Sequence, residues 1–278
     1  MAKKRSGQVK LYKFKISLKD LKKAPKQEQV FFVKALELAQ EINTLQKLML
    51  LSDNVKRKKG SVQESAQINL SLYFIRILAG ALCEAFKFIR LYYCLEILDH
   101  EKKLKSYAKK KSLKCLIHTY KNLMRNNGNE SLVKIREYFS KTGKTNTIKT
   151  IRNKFAYHHD FPAIYKNIDT VLDEADPIVF LSERSGNCHY QFAANLNTAA
   201  LIHEIGLAKD QYKEGLERII GETIKMAGHF GNFLNDYITA FCIKYLNLQN
   251  ADLADLESQE IKAAVLKYSK LNYFAMIE

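Results

Sequence analysis

Proline and glycine are scarce in this chain, with 3 Pro and 11 Gly among 278 residues, and tryptophan is absent. Sandwiches and barrels made of β-strands need a turn-forming residue at each of their many turns, so this composition argues against them. Long helices need few such residues. Hydrophobic residues make up 47% and charged residues 27% of the chain, and this composition excludes a chain that is disordered over its whole length. We therefore predict an all-α fold, an antiparallel bundle of long helices with one small β-hairpin.

Signatures of disulfides, metals and membrane spans are missing as well. The five cysteines include no close pair, which argues against a secreted disulfide scaffold and favours a reducing, cytoplasmic location. Cys188 and His189 form the one adjacent Cys/His pair, so we predict no metal site and no cofactor. The longest apolar run, from Ile77 to Cys83, is far shorter than the roughly 20 residues of a membrane span. Sequence motifs of nucleotide-binding loops, α/β-hydrolases and zinc proteases are absent.

Acidic residues are too few to balance the basic ones, and the imbalance is local. The chain has 45 Lys and Arg against 29 Asp and Glu, a net charge of +16. Residues 200–278 alone have a net charge of −3, so residues 1–199 carry +19. A surplus of this size favours nucleic acid as a partner and argues for contact through the first two thirds of the chain.

Apolar residues recur at helical spacing along most of the sequence. Residues 63–99 would form a helix that is apolar on nearly every face, which predicts that it lies at the centre of the bundle. Residues 126–130 are expected to form a turn, and residues 178–193 to form the hairpin around Arg184-Ser185-Gly186-Asn187. The remaining predicted helices are 28–51, 101–125 (as one helix or two), 132–140, 147–159, 163–174, 195–206, 209–248 (with a break near Gly228 or Gly231) and 251–276.

These elements predict three regions. Residues 1–27 form a basic N-terminal arm, in which the partly alternating string VKLYKFKISL is either a short edge strand or a segment that orders on binding. Residues 28–175 form the helical bundle. Residues 176–278 contribute the hairpin and the C-terminal helices, packed on the same bundle.

One short segment carries recognisable chemistry, the string IRNKFAYHHD at residues 151–160. Arg152 is followed at once by the polar Asn153, and five residues separate Arg152 from His158. This arrangement is similar to the signature of the HEPN superfamily, and the local string resembles its abortive-infection AbiU-type branch. Residues 78–86, in which small residues precede a glutamate, resemble the long second helix of that branch. The resemblance covers residues 28–175.

The resemblance implies a HEPN-like bundle that forms a homodimer, with a cleft at the dimer interface. It implies a metal-independent endoribonuclease that acts as a toxin or antiphage defence effector, alone or with a neutralising antitoxin protein. The RNA 2′-hydroxyl would attack the adjacent phosphate and leave a 2′,3′-cyclic phosphate.

The residue types suit this chemistry. Arg152 offers a permanently charged, planar set of donors to the phosphate oxygens in the transition state. An imidazole titrates near neutral pH, so His158 can act as acid or base. Asn153 would orient the neighbouring groups or the scissile phosphate. A purely structural interpretation stays open, in which Arg152 is a surface cation and His158 caps a helix C-terminus.

Two histidines compete for the acid–base role. On a straight α-helix His158 lies roughly 120° round from Arg152, whereas His159 lies only about 20° from the same face. Geometry therefore favours His159 and the family spacing favours His158. We predict His158 as the catalytic imidazole, with His159 as second candidate.

Further residues are predicted to support the site. Glu84 is expected either to approach Arg152 or to pair with Lys87. Tyr157 is expected to stack on a base, or else to lie in the core. The lysines expected to contact the phosphate backbone are Lys102, Lys103, Lys109, Lys110, Lys111, Lys149 and Lys154.

Two other functional classes remain open from the sequence. A non-catalytic HEPN-fold module would bind RNA or dock a protein. An unrelated helical adaptor would bind an acidic partner and would need no contact between Arg152 and His158.

Overall fold

Long helices dominate the computed structural model, as the sequence predicts. It describes residues 7–12, 16–53, 55, 58–93, 102–141, 146–156, 165, 178–180, 189–207, 211–246, 258–263, 271 and 273. The helices are α1 (Leu18–Leu21), α2 (Lys26–Asp53), α3 (Val62–Tyr92), α4 (Lys102–Lys110), α5 (Ile117–Tyr120), α6 (Asn126–Ser140), α7 (Thr147–Ile151), α8 (Gln191–Glu204) and α9 (Tyr212–Leu246). A π-helical turn, Arg152–Ala156, continues α7.

The strands of the described chain form one two-stranded antiparallel sheet. Strand β1 (Gly7–Tyr12) pairs with β2 (Ser258–Ala263), with Gly7 opposite Ala263. The basic N-terminal string therefore includes a strand. The helix predicted over residues 251–276 is wrong at 258–263, because this segment finds an extended partner in β1.

The contacts of the chain divide it into two compact units, each assembled from three segments. Unit 1 comprises residues 1–43, 84–137 and 228–265. Unit 2 comprises residues 44–83, 138–227 and 266–278. Both units therefore draw on the beginning, middle and end of the chain.

Unit 1 has an aromatic core. Phe31 meets the ring of Tyr237 edge-on at 4.6 Å, and Tyr93 meets Phe233 edge-on at 5.0 Å. Tyr120 lies 4.8 Å from Tyr237, and all five rings are fully buried. Edge-to-face pairs of this kind stabilise a core beyond their buried area, by roughly 0.5–1.5 kcal/mol each.

A buried carboxylate lies beside these rings in unit 1. Glu28, only 6% exposed, accepts hydrogen bonds from the hydroxyl groups of Tyr120 and Tyr245. Lys244 Nζ donates to the same oxygen, Glu28 Oε2, over 3.2 Å. Its ammonium group also lies 5.0 Å from the centre of the Tyr120 ring. The carboxylate thus has three donors and one counter-charge, as a buried charge requires.

Unit 2 has an aliphatic core. Its fully buried side chains include Ile75 and Leu78 from α3, Ile148 and Ile151 from α7, and Ile219 from α9. On α3 and on α7 the two named residues are three positions apart, a spacing typical of one helix face.

The predicted turn at residues 126–130 is wrong, since α6 begins at Asn126. Gly128 explains why the glycine-containing string is helical. Its backbone N–H donates to the Asp236 carboxylate over 2.9 Å, which supplies an acceptor to a first-turn amide. A Cβ at this position would lie 2.5 Å from Asp236 Oδ2, so glycine allows the close approach of the carboxylate.

The structure also tests the predicted break in α9 and part of the predicted hairpin. Helix α9 is continuous, so the predicted break near Gly228 or Gly231 does not occur. Phe180 and His189 form an isolated antiparallel bridge, with backbone hydrogen bonds of 2.8 Å in both directions. The predicted hairpin turn between them, and most of the predicted helix 163–174, lie outside the described residues.

Candidate functional site

The Arg-Asn pair of the motif lies in the π-helical turn that follows α7. A π-helical turn has i→i+5 hydrogen bonds and occurs frequently at functional sites. Phe155 is buried on its inner side, whereas Arg152 is half-buried and Asn153 is exposed. The turn therefore fixes the backbone through Phe155 and leaves the polar pair accessible to solvent.

The two polar side chains bind each other. Arg152 Nη1 donates to Asn153 Oδ1 over 3.0 Å at an exposed position. A guanidinium group has five N–H donors in a planar array, and the bond to Asn153 restrains it through one of them. The side-chain oxygen of Asn153 orients Arg152, and the amide nitrogen of the same side chain is a further hydrogen-bond donor. This arrangement suits the binding of a phosphate group.

A buried asparagine fixes the start of the segment. Asn146 is fully buried and its Oδ1 accepts the backbone N–H of Lys149 over 2.9 Å, which caps α7. Its Nδ2 donates to the carbonyl of Tyr138 over 3.0 Å. Asn146 therefore joins the end of α6 to the beginning of α7, and sets the position from which Arg152 follows.

A network of three hydrogen bonds around Tyr138 and Glu222 also holds α7. The Tyr138 hydroxyl donates to Glu222 Oε2 over 2.6 Å and accepts the backbone N–H of Ile148 over 3.2 Å. Arg218 Nε donates to Glu222 Oε1 over 3.0 Å and completes the network. Burial, together with the Glu222 carboxylate, raises the pKa of Tyr138 well above its ordinary value, so the hydroxyl remains a donor.

Two lysines predicted to bind RNA make contacts within the protein. Lys149 Nζ donates to the carbonyl of Phe139 over 2.6 Å, where it satisfies the C-terminal end of α6. Lys154 Nζ pairs with Glu204 Oε2 at 2.8 Å. Both contacts hold the segment on either side of Arg152, and the binding of RNA by these lysines stays a prediction.

The lysines of α4 whose side chains the structure describes face solvent. Lys103, Lys109, Lys110 and the following Lys111 are exposed, and Ala108 is the buried side of the helix. The side chain of Lys102 lies outside the described residues. Several exposed cations on and next to a short helix are suited to sequence-independent contact with a phosphate backbone.

Glu84 has the partner that the sequence offered as the alternative to Arg152. Lys87 Nζ lies 2.9 Å from Glu84 Oε1, and both side chains are about half exposed. An exposed pair of residues three apart on a helix contributes little to stability.

The two candidate histidines and Tyr157 lie outside the described residues, so their roles stay predictions. The structure does change one premise of the choice between His158 and His159. The angle that favoured His159 assumed α-helical rotation from Arg152 onward, whereas residues 152–156 are π-helical and rotate less per residue. The angles of roughly 120° and about 20° therefore do not apply as calculated, and the choice between the two histidines stays a prediction.

Sequence reasoning missed the residues that position the motif. Asn146 directly before the predicted helix is a typical capping residue, and this signal was available in the sequence. Tyr138, Glu204 and Glu222 carry no such signal, because their partners are distant in the chain.

No family model, curated protein or solved structure matches this chain. Among the described residues, no group of three His, Cys, Asp or Glu side chains is arranged to hold a metal ion. None of the helices in the described ranges is both long enough and apolar enough to cross a membrane.

Proposed function

We propose that the protein is a metal-independent endoribonuclease of HEPN type that acts as a toxin or defence effector. The observation that carries the proposal is the Arg152–Asn153 pair, accessible to solvent in a π-helical turn that is anchored at both ends. Such a pair provides a restrained cation and a neighbouring amide to a phosphate, as the family resemblance of the sequence implies.

The proposed reaction needs one charge-stabilising group and two proton transfers. A base removes the 2′-hydroxyl proton, the 2′-oxygen attacks phosphorus, and the bond from phosphorus to the 5′-oxygen breaks. An acid returns a proton to that leaving oxygen, which yields a 2′,3′-cyclic phosphate and a 5′-hydroxyl. Arg152 would stabilise the negative charge on the non-bridging oxygens, and His158 would transfer the protons.

A homodimer accounts for two proton transfers with one motif in each chain. A twofold interface brings two copies of the same surface together, so two His158 side chains would act as base and acid. The exposed lysines of α4 would hold the RNA backbone. A neutralising antitoxin protein and a cytoplasmic location belong to the same proposal.

RNA cleavage is expected to persist in EDTA, because the proposed charges and protons come from side chains. The purified protein is incubated with total RNA and excess chelator, and the 3′ ends are tested for cyclic phosphate. The rate per molecule should fall on dilution below the dimer dissociation constant. Complete inhibition by EDTA that Mg²⁺ or Mn²⁺ reverses would contradict the mechanism, and a full rate from monomers would contradict the dimer.

Charge reversal on α4 is expected to weaken RNA binding and to flatten its salt dependence. Removal of one lysine–phosphate interaction with single-stranded RNA lowers the slope of log affinity against log salt by about 0.7, so Lys109→Glu with Lys110→Glu should reduce it by about 1.4. The matched control is Lys213→Glu with Lys225→Glu, also exposed but in the acidic third of the chain. A larger loss of affinity in the control pair would assign the RNA surface elsewhere.

RNA binding without any cleavage would favour the non-catalytic HEPN-fold module. The Arg152–Asn153 pair is accessible to solvent, and hydrogen bonds hold the segment on both sides of it, so the catalytic interpretation has the stronger support.

A further inference from the structure

A cavity of about 50 Å³ lies within unit 2 and is lined by residues of α3, α8 and α9. A single water molecule needs about 10–15 Å³ of such space, so the cavity accommodates a group of several atoms. Leu72, Leu201 and Ile219 form the apolar part of its wall and are buried. Among the described residues, the polar part of the wall contains no acidic side chain.

A cation without a counter-charge in the described ranges lines this cavity. The guanidinium of Arg76 is half-buried and lies 6.0 Å from the centre of the Tyr73 ring. In the part of the chain that the structure describes, Arg76 donates no hydrogen bond and forms no ion pair. Removal of this group from water lowers the pKa of Arg76, which is the sign of a charge that burial disfavours. A partly buried charge is normally paired, so Arg76 is expected to have a partner from outside these residues.

A second donor in the same cavity is also without an acceptor. The amide nitrogen of Asn69 is buried and has no hydrogen-bond partner among the residues that the structure describes. Asn69 precedes Arg76 by seven residues on α3, so both side chains leave the same face of the helix. Thr198 contributes a buried residue with a hydroxyl group from α8. Few buried polar groups in proteins lack a partner, and two unused donors in one cavity point to a common acceptor.

We infer that this cavity binds a small organic oxyanion, whose charged end is a carboxylate or a phosphate. Arg76 binds two of its oxygens through the planar guanidinium, and Asn69 donates to one of them. The carbon part of the ligand lies on Leu72, Leu201 and Ile219. The inference is independent of the proposed ribonuclease activity, because neither Arg152 nor Asn153 lines the cavity.

Thermal unfolding of the full chain tests the ligand class. Sodium acetate and sodium phosphate are each compared with sodium chloride at the same ionic strength. Either oxyanion at ten times its Kd should raise the Tm by about 3–5 °C over chloride. A rise with acetate alone assigns a carboxylate ligand, and a rise with phosphate alone assigns a phosphate. Equal Tm values in all three salts would overturn the inference.

Three variants locate the effect. Arg76→Met should abolish the rise, whereas Arg136→Met, which removes a half-buried Arg from α6, should preserve it. Asn69→Asp places a carboxylate in the cavity, so it should raise the Tm without ligand and abolish the response to oxyanions. This variant keeps the test valid if Arg76→Met does not fold. An oxyanion response that persists in Asn69→Asp or in Arg76→Met would assign it to another surface.

Discussion

Alanine in place of Arg152 is expected to lower the rate of RNA cleavage by about 10²–10³-fold, because it removes the group that stabilises charge in the transition state. The fold should persist, since the guanidinium is half-buried and its Asn153 contact is exposed. Single-turnover cleavage of a labelled RNA measures the loss of rate, and circular dichroism and native mass measure helicity and the dimer. Arg152→Lys should have an intermediate rate, because it retains the charge but not the planar donors.

Controls separate catalysis from loss of net charge. Arg125→Ala removes an equal charge from an exposed position in unit 1 and should leave the rate within about twofold. Lys154→Ala removes the ion pair with Glu204 beside the motif and reports on positioning. Equal losses of rate in Arg125→Ala and Arg152→Ala would show that the effect is general attraction of RNA rather than catalysis.

The two histidines are distinguished in the same assay. His158→Ala should abolish cleavage without loss of helicity, whereas His159→Ala should retain a measurable rate. A loss in His159→Ala far larger than that in His158→Ala would assign the acid–base role to His159.

Alanine in place of Glu28 should lower the free energy of unfolding by about 3–5 kcal/mol, the largest stability effect that we expect from one substitution. It leaves Lys244 without its counter-charge and two tyrosine hydroxyls without their acceptor, in a buried environment. Chemical denaturation followed by circular dichroism measures the change. Glu37→Ala removes a carboxylate from the same helix that is 63% exposed and pairs with Lys34, and it should change stability by less than about 1 kcal/mol.

A double substitution isolates the charge pair. Glu28→Met with Lys244→Met should be less destabilising than the sum of the two single changes, because neither charge is then left alone. Burial alone would lower the pKa of Lys244, but its hydrogen bonds with Tyr245 and Glu28 outweigh burial and raise it. The contribution of the Lys244 charge is thus complete below pH 10.5 and declines as the pH rises through the raised pKa. Additive single effects would show that Glu28 and Lys244 are not coupled.

Helices were predictable from this sequence because burial of one face imposes a repeat that can be read locally. Helix α2 (Lys26–Asp53) matches the predicted 28–51, and α9 (Tyr212–Leu246) matches 209–248. The strand at 258–263 was not predictable in this way, because its stability comes from β1 at the other end of the sequence. The start of α6 was missed for a similar reason, since Asp236 accepts the N–H of Gly128 from a distant helix.

The candidate site was predictable only where its residues are adjacent. Arg152 and Asn153 were recognised from their spacing, and their hydrogen bond follows from their proximity. The π-helical turn was not foreseen, because periodicity assumes regular rotation. The lack of a counter-charge at Arg76 within the described ranges was not predictable either, because it depends on which side chains of α8 and α9 surround it.

The separation of Glu28 and Lys244 by 216 positions has a consequence for the synthesis of the protein. A ribosome that adds about 5–20 residues each second makes Lys244 roughly 11–43 s after Glu28. During that time the tyrosine at position 120 is made, but the cation that neutralises the carboxylate is not. The buried position of the Glu28 carboxylate therefore cannot be completed with its Lys244 counter-charge until the last segment of unit 1 has been made.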